Sequence, residues 1–117
     1  MQTYTYEEAF QASMNYFGGD ELAARVWVNK YAMKDSFGVI YEQSPADMHR
    51  RMAREIARIE QKYACPMTEN EIFGLLDHFR FIVPAGSPMT GIGGVFPRRR
   101  IGCACVEYEI RPEGQFR

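Results

Sequence analysis

Residues 44–60 read SPADMHRRMAREIARIE, and this stretch decides the fold class. Ser44 is a capping residue type, Pro45 takes the first helical position where its missing N–H costs nothing, and Asp47 puts negative charge in the first turn. Met48, Met52, Ile56, Ile59 and Tyr63 follow at helical steps, so one face is apolar. The other side carries Arg50, Arg51, Arg54, Glu55, Arg58, Glu60 and Lys62. Pro66 is expected to end the helix, because the residue before a proline is pushed out of the helical region. A helix of this kind must bury its stripe against other elements.

The flanking sequence supplies those elements. Thr5 with Glu8 forms a capping box, and Tyr6, Phe10, Met14 and Phe17 recur behind it until Gly18-Gly19. Asp20 can cap a second helix whose Leu22, Ala23, Val26, Trp27 and Tyr31 make a broad apolar stripe, fading by Asp35-Ser36-Phe37-Gly38. Val39-Ile40-Tyr41 reads as a short extended piece. Thr68 and Glu71 open a fourth helix with a second capping box, and Ile72, Phe73, Leu76 and Phe79 face inward. The expectation is an all-α, compact unit of about four helices over residues 5–80. Its predicted core is Phe10, Phe17, Leu22, Val26, Trp27, Met52, Ile56, Ile59, Ile72, Leu76 and Phe79.

Composition changes after Phe81. Residues 82–94, IVPAGSPMTGIGG, hold four glycines and two prolines, a density that reads as a loop without regular structure. Pro97-Arg98-Arg99-Arg100 follows, and Val106-Glu107-Tyr108-Glu109-Ile110 alternates like a short strand before Pro112 and Gly114. The expected division is a helical domain over 1–81 and a Gly/Pro-rich loop with an irregular or strand-like tail over 82–117.

The 117 residues are 46% hydrophobic and 25% charged, ordinary for a single globular domain. The 14 Lys and Arg nearly balance 15 Asp and Glu, so a strongly basic nucleic-acid binder is not indicated. No apolar run approaches the roughly 18 residues of a membrane span, and MQTYTYEEAF lacks the pattern of a secretory signal. The expected location is the cytoplasm, with neither nucleic acid nor membrane as partner. Three cysteines, Cys65, Cys103 and Cys105, are too few for a disulfide scaffold. Neither His49 nor His78 stands in metal-ligand spacing with them, and no metal site is expected.

Three signals could carry chemistry. Arg50, Arg54 and Arg58 line one helical ridge, which suits anion binding, but near-zero net charge favours a solvated face with Arg51–Glu55 and Glu55–Arg58 pairs. Gly91-Ile92-Gly93-Gly94 lacks the third glycine of a dinucleotide loop, since position 96 is Phe96, and lacks the G-K-[ST] of a P-loop. Ser87 and Thr90 nonetheless add hydroxyl donors to a Gly-rich turn. Cys103 and Cys105 lie behind the arginine run, where a thiol pKa can fall, although small half-buried hydrophobes are the commoner outcome.

Longer phrases carry a resemblance. Residues 16–24 (YFGGDELAA), 30–33 (KYAM), 44–51 (SPADMHRR), 57–60 (ARIE) and 82–93 (IVPAGSPMTGIG) stand in one continuous order. Together they resemble a ribonucleotide reductase large chain, more narrowly the N-terminal helical region of the adenosylcobalamin-dependent (class II) branch. The resemblance spans residues 4–93.

It implies an oxidoreductase of the ribonucleoside-diphosphate reductase family, which reduces the ribose 2′-hydroxyl by thiyl-radical chemistry inside an α/β barrel, in the service of deoxyribonucleotide synthesis and DNA replication. A hydroxyl residue of the Pro-Gly-Ser-Pro-Met loop helps bind substrate phosphate in that family. Ser87 matches best and Thr90 second. A first redox cysteine stands on the first barrel strand, and Cys103 or Cys105 falls at its place. The sequence departs from the family there, because Arg99-Arg-Ile-Gly-Cys-Ala-Cys-Val106 lacks the expected Ser-Asn pair. The barrel, the radical cysteine and any cobalamin site would lie beyond residue 117, so the expectation is a truncated or frame-shifted reading frame, a fragment, or one piece of a split enzyme. Such a chain should be inactive alone and bind no cofactor, with adenosylcobalamin and nucleotide substrate belonging to the full-length enzyme. The alternative is a non-catalytic helical module that docks on a partner protein. In either case the face meant for the barrel is expected to pair two copies as a homodimer.

Overall fold

Thr5 starts the first helix as its sequence demands. Its hydroxyl accepts from Glu8 N–H at 3.2 Å, and the Glu8 carboxylate accepts from Thr5 N–H at 3.0 Å. The computed structural model describes residues 2–96. The elements are α1 (Tyr6–Tyr16), α2 (Glu21–Lys30), α3 (Pro45–Glu60), α4 (Glu69–Leu76), a 3-10 turn (Asp77–Phe79) and α5 (Gly86–Gly91). Among the described residues there is no strand, only isolated antiparallel bridges from Ile40 to Tyr4 and to Lys34. No helix among them is long and apolar enough to cross a membrane. The fold is all-α.

α3 is the hub. It packs along α4 and also meets α1, the 3-10 turn and α5, while α2 leans on α1. The core joins Ala9, Trp27, Val28, Ala32, Ile40, Met48, Met52, Ala53, Ile72, Leu76 and Met89. Trp27, Met52, Ile72 and Leu76 are buried as expected, and Phe17, Ile56 and Phe79 pack half-buried against them. Phe10 is also only half-buried.

Leu22, Val26 and Ile59 are not core residues; they are 68%, 40% and 41% exposed. At about 100° per residue, Leu22 and Val26 lie on the opposite side of α2 from the buried Ala24, Trp27 and Val28. Ile59 shares the Met52 face of α3 but sits in its last turn, past the covering elements.

Three further local expectations are corrected. The Ser44 hydroxyl makes no capping bond; Asp47 reaches back instead and accepts from Gln43 N–H at 3.0 Å. α3 stops at Glu60 rather than running to Pro66, because the Glu60 carboxylate accepts from Met67 N–H at 3.2 Å and turns the chain back. The expected loop holds a helix, α5. Pro88 is its third residue, where an N–H would have no intrahelical acceptor, so the proline does no harm. The strand-like reading of 106–110 lies outside the described residues.

Candidate functional site

α5 carries the two hydroxyls that the resemblance singles out. Ser87 is partly buried in its first turn. The Thr90 hydroxyl lies 3.2 Å from both Gly86 O and Ser87 O, so its proton is held by the backbone of its own helix. What fixes this segment to the bundle is Arg51, which is only 7% exposed. Its guanidinium donates to Glu42 Oε2 at 2.7 Å, to Met89 O at 2.6 Å, and to Ile92 O. The other Glu42 oxygen accepts from Met33 N–H at 3.0 Å, just past the end of α2.

Arg51 therefore does not lie on the solvated face with Glu55. A buried ion pair is tolerable only when its remaining donors and acceptors are satisfied, and here the carbonyls at the end of α5 and the Met33 amide do that. Gly93 completes the contact. Its φ is +71°, and a Cβ there would stand 3.0 Å from the Arg51 side chain and backbone oxygen. Only glycine lets the chain pass so close to the clamp.

The remaining arginine ridge is neutralised. Arg50 pairs with Glu69 at 3.2 Å, donates to Asn70 at 3.0 Å and lies 3.8 Å over the Phe73 ring. Arg54 approaches Glu69 at 3.9 Å, and Arg58 pairs with Glu55.

A second polar cluster joins the end of α1, α3 and the 3-10 turn. The Tyr16 hydroxyl donates to Asp77 Oδ1 at 3.0 Å, accepts from His78 N–H at 2.5 Å, and lies 3.3 Å from His49 Nδ1. The His78 ring stacks on Tyr16 at 4.3 Å. His49 is fully buried and meets Phe79 edge-on at 4.7 Å. His78 and Phe79 both adopt positive φ, at 55° and 53°, a strained choice for residues with side chains. Burial holds the His49 pKa down to about 4, against an opposing pull from Asp77. Burial, with Asp77, raises the Tyr16 phenol.

Between α2 and these elements runs an apolar groove of about 330 Å³, lined chiefly by Phe17, Leu22, Val26, Trp27, Phe79 and Met89. Among the described residues no three His, Cys, Asp or Glu side chains gather as a metal site. Cys65 is exposed, whereas Cys103 and Cys105 lie outside the described residues. Glu42 and Tyr16 carry no sequence signal for these contacts, Arg51 is buried and not on the expected solvated face, and His49 shows in the sequence only as a histidine without ligand spacing.

Comparison with known proteins gives one match. The family model described as "Ribonucleotide reductase, all-alpha domain" covers residues 17–94, from the end of α1 through α5 and Gly93. Neither a curated protein nor a solved structure matches the chain.

Proposed function

The chain belongs to the family of ribonucleotide reductase all-alpha domains, and from that premise we propose that it serves as the N-terminal helical part of a reductase large chain of the adenosylcobalamin-dependent branch. The extent of the match carries this reading, because residues 17–94 include all of α2 to α5 and the clamp that joins them. In that role Ser87 is the candidate for the substrate phosphate, Thr90 the second, and Arg51 keeps α5 in place. Cys103 or Cys105 would be the first redox cysteine, and the cytoplasm the place of work.

Alone, the chain is proposed to be inactive. Arg51 is committed to Glu42 and two carbonyls, so it has little to give a phosphate. The Thr90 proton is likewise committed. One remaining neutral hydroxyl contributes about 0.5–1.5 kcal/mol, well short of the roughly 4 kcal/mol that corresponds to a millimolar Kd. Adenosylcobalamin is likewise proposed to belong to the full-length enzyme and not to this chain. The groove lies at the small end of the roughly 300–1,000 Å³ of ordinary ligand pockets, too small for a corrin with its nucleotide tail, and His49 is buried out of reach. Calorimetry with ribonucleoside di- and triphosphates should show no binding tighter than about millimolar, and no turnover with or without the cofactor. Micromolar binding lost in Ser87→Ala would overturn this.

The apolar groove favours a second reading, a module that docks on a partner protein, and it is also where two copies would pair. Exposed apolar patches mark interfaces. Light scattering is expected to give a dimer that Leu22→Asp returns to monomer; a clean monomer at high micromolar concentration contradicts the self-pairing.

A further inference from the structure

The hydrogen bonds around Tyr16 decide the protonation of His49. Tyr16 has one hydroxyl proton, and it goes to the Asp77 carboxylate. Its oxygen must therefore accept both the His78 N–H and a proton from His49 Nδ1. A neutral imidazole with its proton on Nδ1 has only a lone pair on Nε2. That Nε2 is buried and has no hydrogen-bond partner. Buried polar atoms without partners are rare and costly.

The neighbouring turn is held by this cluster together with Phe17. His78 and Phe79 keep their left-handed backbone while Tyr16 accepts from His78 N–H and stacks on its ring, and while Phe79 lies between His49 and the Phe17 ring, 6.3 Å away. Phe79 and Trp27 line the same groove, so the position of this turn sets the groove wall.

We propose that Tyr16, His49, Asp77 and His78 form an acid-released latch, in which a proton taken up at His49 Nε2 frees the Asp77–Phe79 turn and withdraws Phe79 from the groove. The charged and titratable groups facing His49 are Tyr16 from α1, Asp77 and His78 from the turn, and Arg51 on α3 itself. Asp77, 3.8 Å from Nδ1, favours the imidazolium, while Arg51, His78 and above all burial oppose it. The folded latch thus requires neutral His49. Because its pKa is lowered from 6.5 to about 4 on folding, the hold is complete above 6.5 and is lost as pH falls from there through about 4.

The experiment follows the 117-residue chain from pH 8 to 3.5 by histidine NMR, by emission of Trp27, its single tryptophan, and by far-UV circular dichroism. The expected result is His49 in its Nδ1–H tautomer at neutral pH, titrating near 4, with a Trp27 emission change in the same step and helix content retained. His49→Gln should remove that step. If that variant fails to fold, Tyr16→Phe serves, since removing the acceptor of the His78 N–H loosens the turn that buries His49 and, by easing its desolvation, should move the midpoint upward toward 6.5. An Nε2–H tautomer, a wild-type midpoint near 6.5, an emission step that survives in His49→Gln or does not move in Tyr16→Phe, or loss of all helical signal in the same step would each overturn the latch.

Discussion

α2 and α3 invert the rule that apolar residues go inside and charged ones outside. α3 looks the more polar helix, yet it buries Arg51 and His49, while α2 leaves Leu22 68% and Val26 40% exposed. The difference lies in what each helix meets. α3 is surrounded by α1, α4, the 3-10 turn and α5, and its buried cation finds a carboxylate and two carbonyls. α2 packs mainly on α1, and its outer face borders the open groove. A side chain's place is set by the partners within reach as much as by its polarity.

The strongest way to break this contrast is to remove the buried cation. Arg51→Met leaves Glu42 buried without its partner, and urea denaturation should show a loss of about 3–5 kcal/mol. Adding Glu42→Gln to Arg51→Met should recover part of that loss, because the stranded charge is gone. A cost of only a few tenths would mean that the pair is not buried in solution. Next comes the apolar half of the α3 core. Met52→Ala removes a side chain 2% exposed and should cost about 2–5 kcal/mol.

Helix starts give a smaller effect. Thr68→Ala breaks a formed capping box and is expected to cost about 1 kcal/mol. Ser44→Ala at the head of α3 should cost less, since that hydroxyl makes no cap bond. The smallest effect belongs to the outer face of α2, where Leu22→Ala should stay within about 0.5 kcal/mol for the monomer. A loss near 2 kcal/mol in thermal or chemical melts would show that Leu22 is covered after all.

The capping residues Thr5, Glu8, Asp20, Thr68 and Glu71, and Pro45 at the first position of α3, were legible because each acts within one helical turn. The long-range pairings were not. Arg51 reaches Glu42, nine residues back in an extended segment, and carbonyls 38 and 41 residues ahead; no periodicity records such partners. The same holds for Tyr16 and Asp77, 61 residues apart. α5 was hidden by its own glycines and prolines, whose density suggests a loop unless proline falls in the first turn. Leu22 and Val26 misled because an apolar stripe shows which face is sticky, without showing what stands opposite it.

Amide hydrogen exchange in Arg51→Lys bears most directly on the clamp that joins α5 to the bundle. Lysine keeps a charge for Glu42 but lacks the planar fork that serves Met89 O and Ile92 O together. The amides of Met89 in α5 and of Ile92 and Gly94 just past its end, bonded to Ala85 O, Pro88 O and Gly91 O, should then lose at least about tenfold in protection, while those of Ala24 and Ile72 in α2 and α4 keep theirs. Unchanged exchange at Met89, Ile92 and Gly94, or an equal loss through every helix, would contradict the clamp.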